Sequence, residues 1–326
     1  MSIQTIKTSP LQPLRTLLSL MRRELWESPV SMKWAPLGIG LLTILLTLFT
    51  LAMASRVDHE LHSTQDALRL LAETDREQLN LLVTGFLFST STIFFQFMIL
   101  LIIFYLAGSL FDDRKDRSIL FWKSLPVSDG MLVASKLATA CLVIPLMFLL
   151  AIMLTHLVLL LIASGLALSA GVNPVTTIWL PASLPYLWSV MAAGLLVQAL
   201  WLMPVYAWLL FCSSWAPRLP ILIAIGIPAV IAIIQNSWSL LSSMSLPNLN
   251  IGLIMLKRLG SSMLPMSANI QFDNGLENIQ FNNDLFMRFS NLNSYLLSIE
   301  LWIGLILALP LLVAAVWFRR RATDQA

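Results

Sequence analysis

The longest uncharged stretch of the chain limits what it can fold into. Residues 137–217 contain no Asp, Glu, Lys or Arg. About a quarter of the residues of an average soluble domain are charged, because charged side chains cover its surface. Here only 11% of all residues are charged and 58% are hydrophobic. The sequence therefore predicts an all-α protein whose helices lie in a membrane.

The uncharged stretches also predict the number of membrane spans. A helix needs about 20 apolar residues to cross the hydrocarbon core, so 137–217 is long enough for two crossings. Gly171, Asn173 and Pro174 favour a turn between them. With the remaining stretches, we predict six transmembrane helices. They lie at about residues 34–55, 84–108, 137–165, 185–213, 219–241 and 298–318.

The distribution of basic residues predicts the orientation of the bundle. Lys and Arg are concentrated in residues 1–33, 111–136 and 319–326. Basic residues close to span ends favour the cytoplasmic side. We therefore predict a multi-pass protein with both termini in the cytoplasm. The two longest loops, 56–83 and 242–297, then form external segments.

The N-terminal segment has the pattern of an interfacial helix. Residues 10–28 place Leu and Met side chains on one face of a helix, and Arg15, Arg22 and Arg23 on the other. Such an amphipathic helix can lie along the membrane surface. We expect it on the cytoplasmic side, before the first span.

Several catalytic motifs do not occur in the sequence. The dipeptide Gly-Lys does not occur, so the chain has no phosphate-binding P-loop. His59 and His62 are three residues apart, one short of the zinc-protease spacing. Cys141 and Cys212 stand alone in apolar runs. The sequence therefore predicts no catalytic residue, no metal site and no cofactor bound by this chain.

The loop at residues 111–136 has the most distinctive pattern. Charged residues from Asp112 to Arg117 precede a short apolar turn that contains Phe121 and Trp122. Ser118 can begin a short helix and Pro126 can end it. Two aromatic side chains on a loop outside the membrane favour docking to a partner. The alternative is a loop helix that rests on the membrane surface.

This loop resembles the cytoplasmic loop between the second and third helices of ABC-2 type permeases, the membrane subunits of type V exporter-like ABC transporters. In that family, the short helix is a coupling helix that sits in a cleft of an ATPase subunit. The interfacial helix and the long segment before the last span also resemble the family's layout. The resemblance implies that the following residues contact the ATPase: Arg114, Lys115, Arg117, Phe121, Trp122, Lys123 and Pro126.

The resemblance also implies a function and a set of partners. The chain would be the permease subunit of an exporter in the bacterial inner membrane. It would work as a dimer, either with a second copy or with a related permease, and with two ATPase subunits that bind ATP and magnesium. Membrane lipids would surround it, and no nucleic acid is expected. The residues do not select a substrate.

A few polar residues interrupt the predicted spans. Gln96, His156 and Gln198 are candidates to line a pathway, because polar groups inside a membrane often serve function. Hydrogen bonding between helices explains them as well. A function of another class, a membrane-embedded enzyme or sensor, would use His156, Glu300 or the external helix predicted within 57–80.

Overall fold

A computed structural model describes residues 12–57, 69, 71–124, 126–241, 251–262 and 289–322. Within these residues the protein is helical, with no β-strand. The predicted all-α fold is therefore confirmed for the described part of the chain. The segments 58–68, 242–250 and 263–288, which form most of the two predicted external segments, lie outside the described residues.

The helices of the N-terminal half are α1 (Gln12–Glu27), α2 (Ala35–Val57), α3 (Arg76–Lys115), α4 (Ser118–Ser124), α5 (Asp129–Ala138) and α6 (Ile144–Ser169). They include three long ones, α2, α3 and α6, with 23, 40 and 26 residues. A π-helical turn, Val30–Trp34, leads into α2, and a second one, Thr139–Val143, joins α5 to α6. The residues from Asp129 to Ser169 therefore form one continuous helix.

The helices of the C-terminal half are shorter and more often interrupted. They are α7 (Leu180–Ala182), α8 (Leu184–Trp201), α9 (Met203–Trp215), α10 (Pro220–Leu241), α11 (Ile251–Ser262), α12 (Phe289–Leu296) and α13 (Ile299–Arg321). A π-helical turn, Val175–Trp179, precedes α7. The helix α9 packs between α3 and α13, and buried side chains from α3, α6, α8 and α9 form one continuous apolar core.

Five helical segments of the described chain are long and apolar enough to cross a membrane. They are Val30–Met53, Arg76–Lys115, Asp129–Ser169, Val175–Trp201 and Ile299–Arg321. The prediction of a membrane-embedded protein is confirmed at this level. The predicted fifth span coincides with α10, whose apolar part, Pro220–Gln235, is shorter. That part measures about 24 Å against about 30 Å of hydrocarbon, so the sixth crossing stays a prediction.

Two helices run beyond the predicted spans that they contain. The helix α3 has 40 residues and is about 60 Å long, which exceeds the thickness of a bilayer. It runs beyond the predicted span 84–108 at both ends. Likewise, the helix that holds the predicted span 137–165 already begins at Asp129. Hydropathy marks where a helix leaves the hydrocarbon, whereas the hydrogen bonds of the helix continue past that point.

The predicted fourth span, 185–213, is broken into two helices at Leu202. The break lies two residues before Pro204, which has no N–H to donate to the preceding turn. Leu202 ends α8 and begins α9, with φ −84° and ψ −2°. Beside this break, the carbonyl oxygen of Trp201 accepts a hydrogen bond of 2.8 Å from Arg258 Nη1.

The helix α2 touches the bundle at a close approach that only glycine permits. A Cβ atom at Gly40 would lie 2.6 Å from Thr155 Oγ1 and 3.6 Å from Phe94 Cζ. Both neighbours are buried. Gly38 lies two residues earlier on α2, and a Cβ atom there would have no heavy atom within 4 Å. Gly40 therefore lets α2 lie directly against α3 and α6.

We predict that Gly40→Val destabilises the protein by about 1–3 kcal/mol, because the added side chain forces α2 away from Thr155. Gly38→Val is the matched control, since it adds the same side chain to the same helix without a contact. Thermal unfolding in detergent measures both variants. Equal melting temperatures for the two variants would contradict this packing of α2.

Candidate functional site

Charged residues from four helices meet at one end of the bundle. The Nζ atom of Lys136 lies 3.3 Å from Glu24 Oε1 and 3.5 Å from Asp113 Oδ1. Arg319 Nη1 donates to Asp113 Oδ2 at 3.0 Å, and Arg319 Nε lies 3.4 Å from Asp129 Oδ1. We call these five residues the charged network. It joins α1, α3, α5 and α13.

The charged network is largely shielded from solvent. The side chains of Lys136 and Arg319 are 6% and 2% exposed, and those of Glu24 and Asp113 are 8% and 12% exposed. Buried charges are tolerated where they are paired and hydrogen-bonded. Removing one member of such a pair leaves an uncompensated charge, which is strongly destabilising. The network therefore fixes how these four helices meet.

Further hydrogen bonds join the same end of the bundle. Tyr105 donates its hydroxyl to Glu24 Oε2 at 2.9 Å. Arg114 Nη2 donates to the carbonyl oxygens of Ser213 and Ala216 at 2.8 and 2.9 Å. The hydroxyl of Ser213 accepts from the backbone N–H of Leu110. The C-terminal end of α9 is thereby attached to α3.

These contacts bear on the predicted orientation. The interfacial helix, the loop after α3, the end of α9 and the end of α13 all lie at one end of the molecule. The charge pattern predicts that these segments share one side of the membrane, and the contacts agree with that grouping. Which compartment this end faces stays a prediction.

A short helix, α4, is observed at the place of the predicted coupling helix, whose coupling role stays a prediction. Its residues follow Arg117, which has φ 54°, and Ser118 Oγ donates to Asp113 O at 3.2 Å. Ile119 and Trp122 are buried, whereas Phe121 is 60% exposed. Trp122 packs on Leu20 of α1 and Leu132 of α5. The short helix is therefore attached to the bundle through one face.

The expectation that both aromatic residues are exposed is wrong for Trp122. Trp122 is 5% exposed, and the Arg23 guanidinium lies 3.5 Å from the centroid of its ring, in a cation–π contact. Ile119 and Trp122 are three positions apart, so they share one buried helix face, on which α1 and α5 cover Trp122. Phe121 and Trp122 make an edge-to-face contact at 5.4 Å, so the buried ring supports the exposed one.

The other predicted docking residues divide into two groups. Arg114 is half-buried and binds the end of α9, so its guanidinium is directed into the chain. Lys123 donates to the carbonyl oxygen of Arg320 at 2.9 Å, although it is exposed. Three further residues are exposed: Lys115, Arg117 and Pro126.

A polar cleft of about 640 Å³ lies between α1 and α3, next to α4. Five carboxylates and two basic groups line it: Glu24, Glu27, Asp112, Asp113, Asp116, Arg23 and Lys136. Sequence reasoning placed α1 on the membrane surface and missed its contact with the bundle. The acidic Glu24, on a helix otherwise rich in Arg, is the signal that could have indicated a partner inside the protein.

The three candidate pathway residues do not come together. Gln96 is exposed on the outer face of α3. Gln198 is buried and donates to Ser262 O at 2.6 Å. His156 is buried between α3 and α8, where Trp188 Nε1 donates to His156 Nδ1 at 3.3 Å. Each residue belongs to a different part of the bundle.

His156 has the hydrogen bonds of a structural residue. Its Nε2 lies 3.0 Å from both Leu87 O and Ser91 Oγ. Because Nδ1 accepts from Trp188, the proton of the neutral ring is on Nε2, which donates to Leu87 O. The ring thus links α3, α6 and α8. Among the described residues, no three His, Cys, Asp or Glu side chains are placed to hold one metal ion.

A buried arginine lies at the opposite end from the charged network, and sequence reasoning placed it in the external segment 242–297. Arg258 of α11 is 9% exposed. It donates to Trp201 O and Glu300 O, and its guanidinium lies 4.6 Å from the centroid of the Trp201 ring. Burial lowers the pKa of Arg258, and the Glu300 carboxylate opposes this. The contacts fasten α11 to α8 and α13.

No protein-family model matches this sequence, and no curated protein or solved structure matches it either.

We predict that Arg319→Gln lowers stability by roughly 3 kcal/mol, the lower end of the range for a broken buried ion pair, because Lys136 still neutralises part of the Asp113 charge. The exposed Lys115→Gln at the same end is the control, with an expected change within about 0.5 kcal/mol. Chemical or thermal unfolding of both variants in detergent gives the comparison.

A double-mutant cycle with Asp113→Asn separates the ion pair from general disruption. We expect a coupling of about 1 kcal/mol or more between the two substitutions, because the residues are in direct contact. Additive effects would mean that the Arg319–Asp113 contact does not contribute to stability.

Proposed function

We propose that this chain is the permease subunit of an ABC transporter of the ABC-2 type, driven by ATP hydrolysis in a separate subunit. One observation carries the proposal: α4 is fixed to the bundle by Ile119 and Trp122 and presents Phe121 outward. A side chain that is exposed on a rigid, well-supported helix suits insertion into a pocket of another protein.

The connections of α4 support a role in coupling. It lies between α3, with 40 residues, and the continuous helix Asp129–Ser169, with 41 residues. Both helices extend to the far end of the bundle. A displacement of α4 would be transmitted to them directly, because packed helices move as rigid elements. The charged network would extend the displacement to α1 and α13.

The same proposal includes a second permease copy or a related permease, two ATPase subunits, export as the direction of transport, and the bacterial inner membrane as the location. Two of the membrane helices are little covered by the rest of the chain. In the most apolar part of Val30–Met53, 17% of the residues are buried, and in that of Ile299–Arg321, 22% are buried. These helices are where a second permease could pack. The bound nucleotide and magnesium would belong to the ATPase.

A membrane-embedded enzyme or sensor has less support. Such a function would need polar groups that converge at one place. His156, Gln198 and Glu300 instead make hydrogen bonds to different partners. The imidazole of His156 is occupied at both nitrogen atoms. No observation on these residues favours a reaction.

We predict that Phe121→Ala releases an ATPase subunit that co-purifies with the tagged full-length chain from its native host. The co-purified protein is identified as an ATPase by photolabelling with azido-ATP and by magnesium-dependent hydrolysis. Loss of a central aromatic contact typically costs 2 kcal/mol or more of binding, so we expect roughly a 30-fold weaker association.

Trp26→Ala is the matched control, because Trp26 is 63% exposed on α1 at the same end of the bundle. It should retain the ATPase. Both variants should unfold like the wild type, since neither side chain is buried. If Phe121→Ala retains the ATPase and its coupled hydrolysis in full, α4 is not the docking element.

A further inference from the structure

An apolar groove runs along the outside of the bundle at its charged end. It has a volume of about 430 Å³ and lies between α5 and α13. Gly130, Ala134 and Leu137 form one wall, and Leu312, Val316 and Trp317 form the other. This volume is within the range of about 300–1,000 Å³ that is usual for small-molecule sites.

Small residues on α5 create this groove. A Cβ atom at Gly130 would meet nothing within 4 Å, and Ala134 is exposed one turn further along the helix. The wall formed by α5 is therefore low, while Val313 and Trp317 of α13 are 69% and 44% exposed. An elongated apolar group can lie between the two helices.

The groove has one charged end and one apolar end. Arg320 lies at its mouth, and Leu312 is eight residues, or about 12 Å, deeper along α13. The Arg321 guanidinium lies 3.8 Å from the centroid of the Trp317 ring. Trp and Arg beside an apolar surface are typical of the level of lipid headgroups.

Basic side chains lie at the mouth of the groove. Lys123 donates to the Arg320 carbonyl oxygen, which adds a third basic side chain to those of Arg320 and Arg321. The carboxylate of Asp129, on the adjacent helix α5, is paired with Arg319 at 3.4 Å. The mouth therefore attracts an anion, while the rest of the groove attracts hydrocarbon.

We propose that this groove binds one anionic phospholipid, with an acyl chain between α5 and α13 and the phosphate group at Arg320. The charge complementarity selects an anionic lipid over a zwitterionic one. This proposal does not rest on the proposed transport function.

Quenching of tryptophan fluorescence tests the proposal on the full-length protein in phosphatidylcholine nanodiscs. Phosphatidylglycerol or phosphatidylcholine with brominated acyl chains is titrated into separate samples. The Trp317 signal is obtained by subtracting the signal of Trp317→Phe in each background. We expect half-maximal quenching of Trp317 at an about fivefold lower mole fraction of the anionic lipid, the preference that one basic residue gives.

Three variants of the groove and one control locate the effect. Arg320→Gln should remove most of the preference, and Gly130→Leu should reduce quenching by both lipids because it fills the groove. Ala134→Leu fills the same groove and replaces Gly130→Leu if that variant does not elute as the wild type does. Arg22→Gln should keep the preference, because Arg22 also lies over a ring, at 4.9 Å from that of Trp26, but does not line this groove.

Three results would overturn the proposal. Equal quenching by the two lipids would show that the groove does not select an anionic headgroup. An unchanged preference in Arg320→Gln would place the anionic site elsewhere. Absence of Trp317 quenching by either lipid, together with cross-linking of two chains through α13, would show that a second copy covers the groove.

Discussion

The arrangement of this bundle depends on buried ion pairs at one end. Lys136 and Arg319 are placed in an apolar protein where an unpaired charge would be costly. Each has a carboxylate within hydrogen-bonding or ion-pair distance, and Asp113 lies between them. Because the partners come from four helices, the chain satisfies these charges only when α1, α3, α5 and α13 meet in one arrangement. The apolar core supplies most of the burial, and the ion pairs specify which helix ends come together.

The short helix α4 takes its position from this end of the bundle. Trp122 is covered by α1 and α5, and those helices are joined by the contact of Glu24 with Lys136. The exposed Phe121 is thus held on a rigid support. The groove beside α13 arises from the same geometry, since Arg319 bonds inward to Asp113 while Arg320 lines the groove on the outside. Two consecutive residues therefore serve the interior and the surface.

Hydropathy is a local property, so the sequence predicts the five long apolar helices of the described chain, whereas the sixth crossing stays a prediction. The sequence also predicts α4, since Ser118 and Pro126 bracket a short apolar turn. Pro204 in the sequence indicates the break at Leu202. The burial of Trp122 could have been predicted from its spacing to Ile119. The partner of Lys136 could not, because Glu24 is 112 positions away and a single sequence carries no record of that contact. The inward position of Arg258 is hidden for the same reason.

Hydrogen–deuterium exchange of Lys136→Met tests most directly whether the charged network holds this end together. We expect faster exchange in α1, α4 and the last turns of α13, because Glu24 and Asp113 lose their shared partner. Exchange around His156, where α3, α6 and α8 meet, should stay as in the wild type. An increase in exchange that is confined to the residues next to Lys136, or one that is spread evenly over the bundle, would show that the charged network does not hold these helix ends together.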